Sequence, residues 1–168
     1  MGVKDIVIVR ADYSDKQHQQ DIPMLLGRYA LDPMGGGQAL AENVKQNLVQ
    51  ALAELPQAFS ILAYQNNNAV GLVNCFEGFS TFLCRPLVNI HDVVVLDTHR
   101  GLGISLMMLN EVEQIAKEKG CCKLTLEVLS NNKAAKSAYE KFGFAGYELD
   151  PEAGTALFWQ KPLPIRYS

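Results

Sequence analysis

Two stretches of the 168-residue sequence combine residue types and spacings suited to chemistry. The first is Val93-Val-Val-Leu-Asp-Thr-His-Arg-Gly-Leu-Gly-Ile-Ser105, a β-branched run, a tight turn and a helix start. Gly101, Gly103 and the small Ser105 let a ligand come within contact distance of the backbone. Amides that open a helix have no intrahelical partner and stand at the positive end of its dipole. A diphosphate there would be held by backbone N–H groups, with Arg100 adding a full charge. The same glycines also suit a plain strand-to-helix turn. Two other phosphate motifs are absent: the dinucleotide fingerprint needs glycine where Leu106 stands, and no Gly-Lys-Ser/Thr follows.

The second stretch runs from Glu127 to Phe144 and holds Asn132, Ala135 and Tyr139. On a helix, Asn132 and Tyr139 return to one face after two turns, roughly 10 Å apart. Ala135 lies between them and leaves room for an extended ligand. Taken alone, Tyr139 reads first as a packing tyrosine whose hydroxyl finds a surface partner.

Elements that would position these residues follow from patterning. Residues 5–10 and 59–65 read as strands, as do 69–76, the last two joined by Asn66-Asn67-Asn68 as a hairpin turn. Residues 14–30 are polar with a helical tint and run into Pro33 and Gly35-Gly36-Gly37, a turn or mobile loop. Leu40, Val44, Leu48, Val49 and Leu52 recur at helical spacing and must stop before Pro56. After a loop over 78–86, residues 90–96 are nearly all apolar, as in a central strand. Ile104, Met108, Val112 and Ile115 line one helical face, and Gly120 ends that helix. A strand over 123–128, a helix over 133–142 closed by Gly143, and an antiparallel pair over 144–149 and 155–160 complete the chain. The order predicts one α/β domain with a mixed sheet.

Composition narrows the function classes. With 48% apolar and 20% charged residues, the chain is ordinary for a globular protein. A net charge of −3 argues against a duplex nucleic-acid binder, which needs clustered Lys and Arg. No apolar run reaches membrane-span length, and the first residues lack the apolar stretch of a signal peptide. Ile6 stands where a myristoylation signal wants Ser or Thr. The expected setting is cytoplasmic, with no membrane or nucleic-acid partner. Cys75, Cys84, Cys121 and Cys122 form no Cys-x-x-Cys pair and the three His are scattered, so no metal site is expected. The cysteines read as reduced packing residues, Cys121 and Cys122 heading a strand.

Together the two stretches resemble the GNAT superfamily of N-acetyltransferases. The resemblance covers about residues 90–144, the cofactor-binding half of that fold. The superfamily pattern of Gln or Arg, two residues, Gly, one residue, then Gly or Ala reads here Arg100-Gly-Leu-Gly103-Ile-Ser105, with Ser in the last small position. The later pattern Asn-x-x-Ala-x-x-x-Tyr followed by Gly-Phe is complete as Asn132, Ala135, Tyr139, Gly143 and Phe144. The resemblance implies a single domain over residues 1–168 with the GNAT acyl-CoA N-acyltransferase fold. Its sheet is mixed and mostly antiparallel, its central strands splay, and about four helices flank it. An acceptor-side half would occupy about 1–89, an acetyl-CoA half about 90–144, and a C-terminal strand pair 144–161.

The same resemblance implies the chemistry. Backbone groups of Val93, Val94 and Val95 would bond the pantetheine arm of acetyl-CoA, amides of Leu102, Gly103, Ile104 and Ser105 would hold its diphosphate, and an N–H near Val95 would stabilise the oxyanion. Tyr139 lies where the superfamily places its general acid, and a tyrosine keeps its proton at neutral pH. Diamine acetyltransferases carry Glu-Asp just before these apolar residues, and here the register holds His91-Asp92. His91 is the candidate base, with Glu77 and Glu127 behind it; otherwise His91 is a hydrogen-bonded sheet residue and water takes the proton. Consecutive strand residues face opposite ways, so His91 and Asp92 share a pocket only if the strand bulges. The expected reaction is acetyl transfer to a primary amine of a small molecule. A protein lysine or N-terminal acetyltransferase and a non-catalytic CoA-binding module are the alternatives, and a homodimer is compatible with each.

Overall fold

A computed structural model describes residues 5–147, 152 and 154–164. The chain runs β1 (Ile6–Arg10), α1 (Lys16–Leu31), a short 3-10 turn (Pro33–Gly35), α2 (Glu42–Ala53), β2 (Ala58–Gln65), β3 (Asn68–Ser80) and β4 (Arg85–Val95). A second 3-10 turn (Asp97–His99), α3 (Ile104–Glu118), β5 (Leu124–Leu126) and α4 (Lys133–Phe142) follow.

The five strands lie in sequence order in one sheet; β1 to β4 pair antiparallel and β5 joins β4 parallel. The β2–β3 hairpin turns on Asn66 and Asn67, both at positive φ (49° and 62°), a conformation asparagine tolerates better than most residues. Each face of the sheet carries its own core. On one, Met108, Val112 and Ile115 of α3 pack with Val73, Val88 and Ile90. On the other, Ile22 and Leu25 of α1 and Val49 and Leu52 of α2 pack with Leu62, Leu72 and Val94. The apolar stripe on α3 is the one its helical spacing predicts. Arg10 at the end of β1 crosses to the polar side of α3 and holds Glu111 (2.6 Å) and Glu118 (2.9 Å).

Local signals set most boundaries. Asp15 caps α1 by accepting the Gln17 and His18 N–H groups, and Gly143 ends α4 at a φ of 108°. Three expectations change. The hairpin arms of β3 and β4 continue to Ser80 and from Arg85, through much of the expected 78–86 loop, because cross-strand pairing from Glu77↔Val88 to Ser80↔Arg85 satisfies the backbone there. β5 is short, so Cys121 and Cys122 precede it rather than head it. The C-terminal strand pair is not formed over the described residues: 144–147 and 154–164 carry no regular secondary structure, while 148–151 lie outside the described residues. Leu157, Phe158 and Trp159 have strand-forming side chains yet stand exposed, and β-propensity is expressed mainly through packing against neighbouring strands.

Candidate active site

The site begins where two strands part. Pairing between β4 and β5 ends at Ile90↔Leu126, whereas β4 stays paired to β3 as far as Val95↔Gly71. The Leu96 N–H donates to the Val70 carbonyl at 2.9 Å, toward β3. Peptide groups alternate along a strand, so those of Val95 and Val93 face the opposite side, which β5 has vacated. The result is a cleft of about 980 Å³ whose walls include Val93, Val94 and Val95.

The turn after β4 leads the chain to the head of this cleft. Gly101 and Gly103 adopt φ of 78° and 76°, where a side chain would strain the backbone. α3 has no side-chain cap, and its first turn closes with Met107 N–H on the Gly103 carbonyl at 3.1 Å. The N–H groups of Ile104, Ser105 and Leu106 thus lack intrahelical partners, and Gly103, Ile104 and Ser105 line the cleft. The side chain of Leu102 instead packs against the α3 core.

Arg100 is already paired. Its Nη2 lies 2.8 Å from Asp32 Oδ2 and 2.8 Å from Asp97 Oδ1, and its Nε donates to the Val95 carbonyl at 3.4 Å. The guanidinium holds the Asp32 carboxyl below the usual range, and Asp32 in turn raises Arg100. Asp32 also caps the short turn after α1, accepting the Met34 N–H at 2.8 Å. In that turn Gly35 passes directly over the end of α1: a Cβ there would sit 2.0 Å from the Tyr29 carbonyl oxygen. The Tyr29 hydroxyl donates to the Met34 carbonyl at 3.4 Å.

α4 forms the opposite wall. Tyr139 and Ala135 both face the cleft, as their spacing predicts. The Tyr139 ring packs edge-on to Phe144 with centroids 5.9 Å apart. Burial, with Tyr29 nearby, pushes its phenol up to about 12, so it is protonated throughout the physiological range. Asn132 also lines the cleft, but its side-chain oxygen is used inside the chain: it caps α4 by accepting the Ala135 N–H at 3.2 Å.

His91 is not among the cleft-lining residues of β4, which are Val93, Val94 and Val95. The ladder steps from Cys75↔Ile90 to Asn74↔Asp92, so His91 is the extra residue of a β-bulge. Its ring meets Phe76 with centroids 5.6 Å apart, on the α1–α2 side of the sheet. Asp92 accepts from Asn74 Nδ2 (3.0 Å) on that same side, at the end of a chain from the Tyr13 hydroxyl through Ser60 and Asn74. Glu77 is bound to Lys119 at 3.0 Å and Glu127 is exposed. Sequence reasoning missed Asp32. Asp32-Pro33 carries a turn signal, but nothing in the spacing tells that it meets a residue 68 positions away.

The model of the acetyltransferase (GNAT) family matches residues 30–144, so the chain belongs to that family. Streptothricin acetyltransferase of Streptomyces lavendulae is 34% identical over 85 residues, 46% of this chain and 45% of that protein. Thialysine N-epsilon-acetyltransferase of Bos taurus is 34% identical over 74 residues, 44% of this chain and 43% of that protein. The chain thus spans less than half the length of these curated relatives. Among solved structures, the aminoglycoside N-acetyltransferase AAC(6')-Iy in complex with CoA has a TM-score of 0.72 at 17% identity, covering 93% of this chain and 94% of that one. The fold is the GNAT fold, and the family is one of acetyltransferases.

Proposed function

We propose that this chain transfers the acetyl group of acetyl-CoA to a primary amine of a small molecule. The observation that carries this reading is the parting of β4 and β5 at Ile90 and Leu126. It leaves the strand edge at Val93 and Val95 open on the same cleft that the free amides opening α3 line. An elongated ligand with amides at one end and a diphosphate at the other fits that arrangement. Val93 and Val95 would bond the pantetheine arm, and the amides of Leu102 to Ser105, with Arg100, would hold the diphosphate. Ala135 leaves room beside it.

The bound cosubstrate supplies an activated acetyl thioester. As the amine attacks, the Val95 N–H would donate to the carbonyl oxygen where charge gathers. Tyr139 gives its proton to the departing sulfur, which leaves more easily as a thiol than as a thiolate. The proton of the attacking amine passes to His91 or to water. Two relatives are named as acetyltransferases of streptothricin and of thialysine at its N-epsilon, which supports the small-molecule acceptor.

The test is release of free thiol from acetyl-CoA across a panel holding an aminoglycoside, a lysine analogue, a polyamine and a lysine-containing peptide. Turnover with one of the small amines is expected. Turnover with the peptide alone would move the acceptor to protein. Saturable CoA binding without any turnover would leave a binding module.

A further inference from the structure

We propose that Asp32 is an internal competitor of the cosubstrate's diphosphate for Arg100, so that its carboxylate sets cosubstrate affinity. The inference rests on the reading above, in which Arg100 and the opening of α3 receive that diphosphate. The relevant charges lie on two elements far apart in sequence. Arg100 Nη2 contacts Asp32 Oδ2 and Asp97 Oδ1 at 2.8 Å each. One nitrogen therefore serves two carboxylates, the arrangement in which it would otherwise serve phosphate oxygens.

The two carboxylates are not equivalent. The Asp97 side chain is 81% exposed and sits within the same turn as Arg100, whereas Asp32 is 19% exposed and belongs to the acceptor side of the cleft. Asp32 is also held from behind, since its other oxygen takes the Met34 N–H at 2.8 Å. It cannot follow Arg100 toward an arriving anion without giving up that cap. A diphosphate reaching the α3 amides must draw Arg100 from Asp32, or bind with Asp32 close by and repelling it. Either way Asp32 opposes binding. The Arg100–Asp32 contact also ties the 33–37 turn to the cofactor loop. Release of Arg100 by the diphosphate frees the turn beside Tyr29, and by linkage an acceptor that displaces this turn strengthens cosubstrate binding.

The experiment measures binding by calorimetry for the native chain and for Asp32→Asn, which keeps a side-chain oxygen for the Met34 cap. Asp32→Ser, which keeps a capping oxygen in a smaller side chain, is the second variant. CoA and pantetheine, which lacks the diphosphate, are the two probes. At low ionic strength both variants should bind CoA about fivefold more tightly, the scale of one exposed ion pair plus a removed repulsion. The gain should shrink as salt rises, and pantetheine affinity should stay unchanged. Unchanged or weaker CoA binding by both variants, with the native chain binding normally, overturns the role of Asp32. So does an equal gain for pantetheine, which would place the effect away from the diphosphate. A native chain that binds no CoA overturns the underlying reading as well, and that failure is distinguishable because it precedes any substitution.

Discussion

His91 and Asp92 are neighbours in the chain and lie on the same side of the sheet. His91 rests against Phe76 and Asp92 is bonded to Asn74, two residues of β3 that share a face. A regular strand would have turned one of them toward α3. The bulge at His91 reverses the parity of β4, so that Val88 and Ile90 before it and Val93 and Val95 after it all pack toward α3. This reversal also brings the Val93 and Val95 peptide groups to the open side of the strand. One inserted residue thus aims both the polar pair and the strand edge.

If His91 accepts the amine proton, replacing it alters the pH dependence of turnover rather than cosubstrate binding. His91→Ala is expected to remove the acidic limb of the pH–rate profile while CoA affinity stays within about twofold, since the side chain lies outside the cleft wall. A limb of unchanged shape assigns the proton to water.

Tyr139→Phe should lower turnover by about two orders of magnitude or more, with CoA affinity nearly unchanged, because only the donated proton is lost. Burial raises the phenol, so its neutral form persists as pH rises past the ordinary tyrosine range and is lost near 12. An alkaline absorbance titration, native minus variant, should show one phenol ionising near that pH. A phenol titrating near the ordinary value of about 10 would contradict the buried placement.

Arg100→Ala is expected to weaken CoA binding about tenfold at low ionic strength, with the two proteins converging as salt rises. Thermal stability should change little, since the Arg100 side chain is itself more than half exposed and solvent screens its pairs. Equal affinity at every salt concentration would put the diphosphate elsewhere.

Gly35→Ala puts a methyl group 2.0 Å from the Tyr29 carbonyl oxygen, closer than any relaxed contact, so the turn after α1 must shift. The expected result is a lower melting temperature, equivalent to about 1–3 kcal/mol, and a raised KM for the amine. Gly37→Ala meets no neighbour within 4 Å, and its cost should come only from its φ of 70°. Equal melting temperatures for Gly35→Ala and the native chain would show that the close approach carries no weight.

Much of this protein was readable from its residues because the relevant signals act over a few positions. Asn132 and Gly143 bound α4 through caps and a left-handed glycine, so the limits 133–142 hold in the folded chain. The α3 stripe and the two glycines before it are equally local, and with Tyr139 they identify the family's cofactor half. Tertiary contacts decided the rest. A bulge is a mismatch in count between two strands, so His91 becomes the extra residue only against Cys75 and Asn74 of β3. β5 stops at Leu126, where its pairing with β4 ends at Ile90, although Val128 and Leu129 after it keep a strand-forming character. The apolar residues 157–159 show the converse, strand-forming side chains that stand exposed outside any regular element. Asp32 meets Arg100 only because α1 and the turn after β4 converge at one end of the sheet. Backbone conformation depends on near neighbours; which edges and charges meet depends on the path of the whole chain.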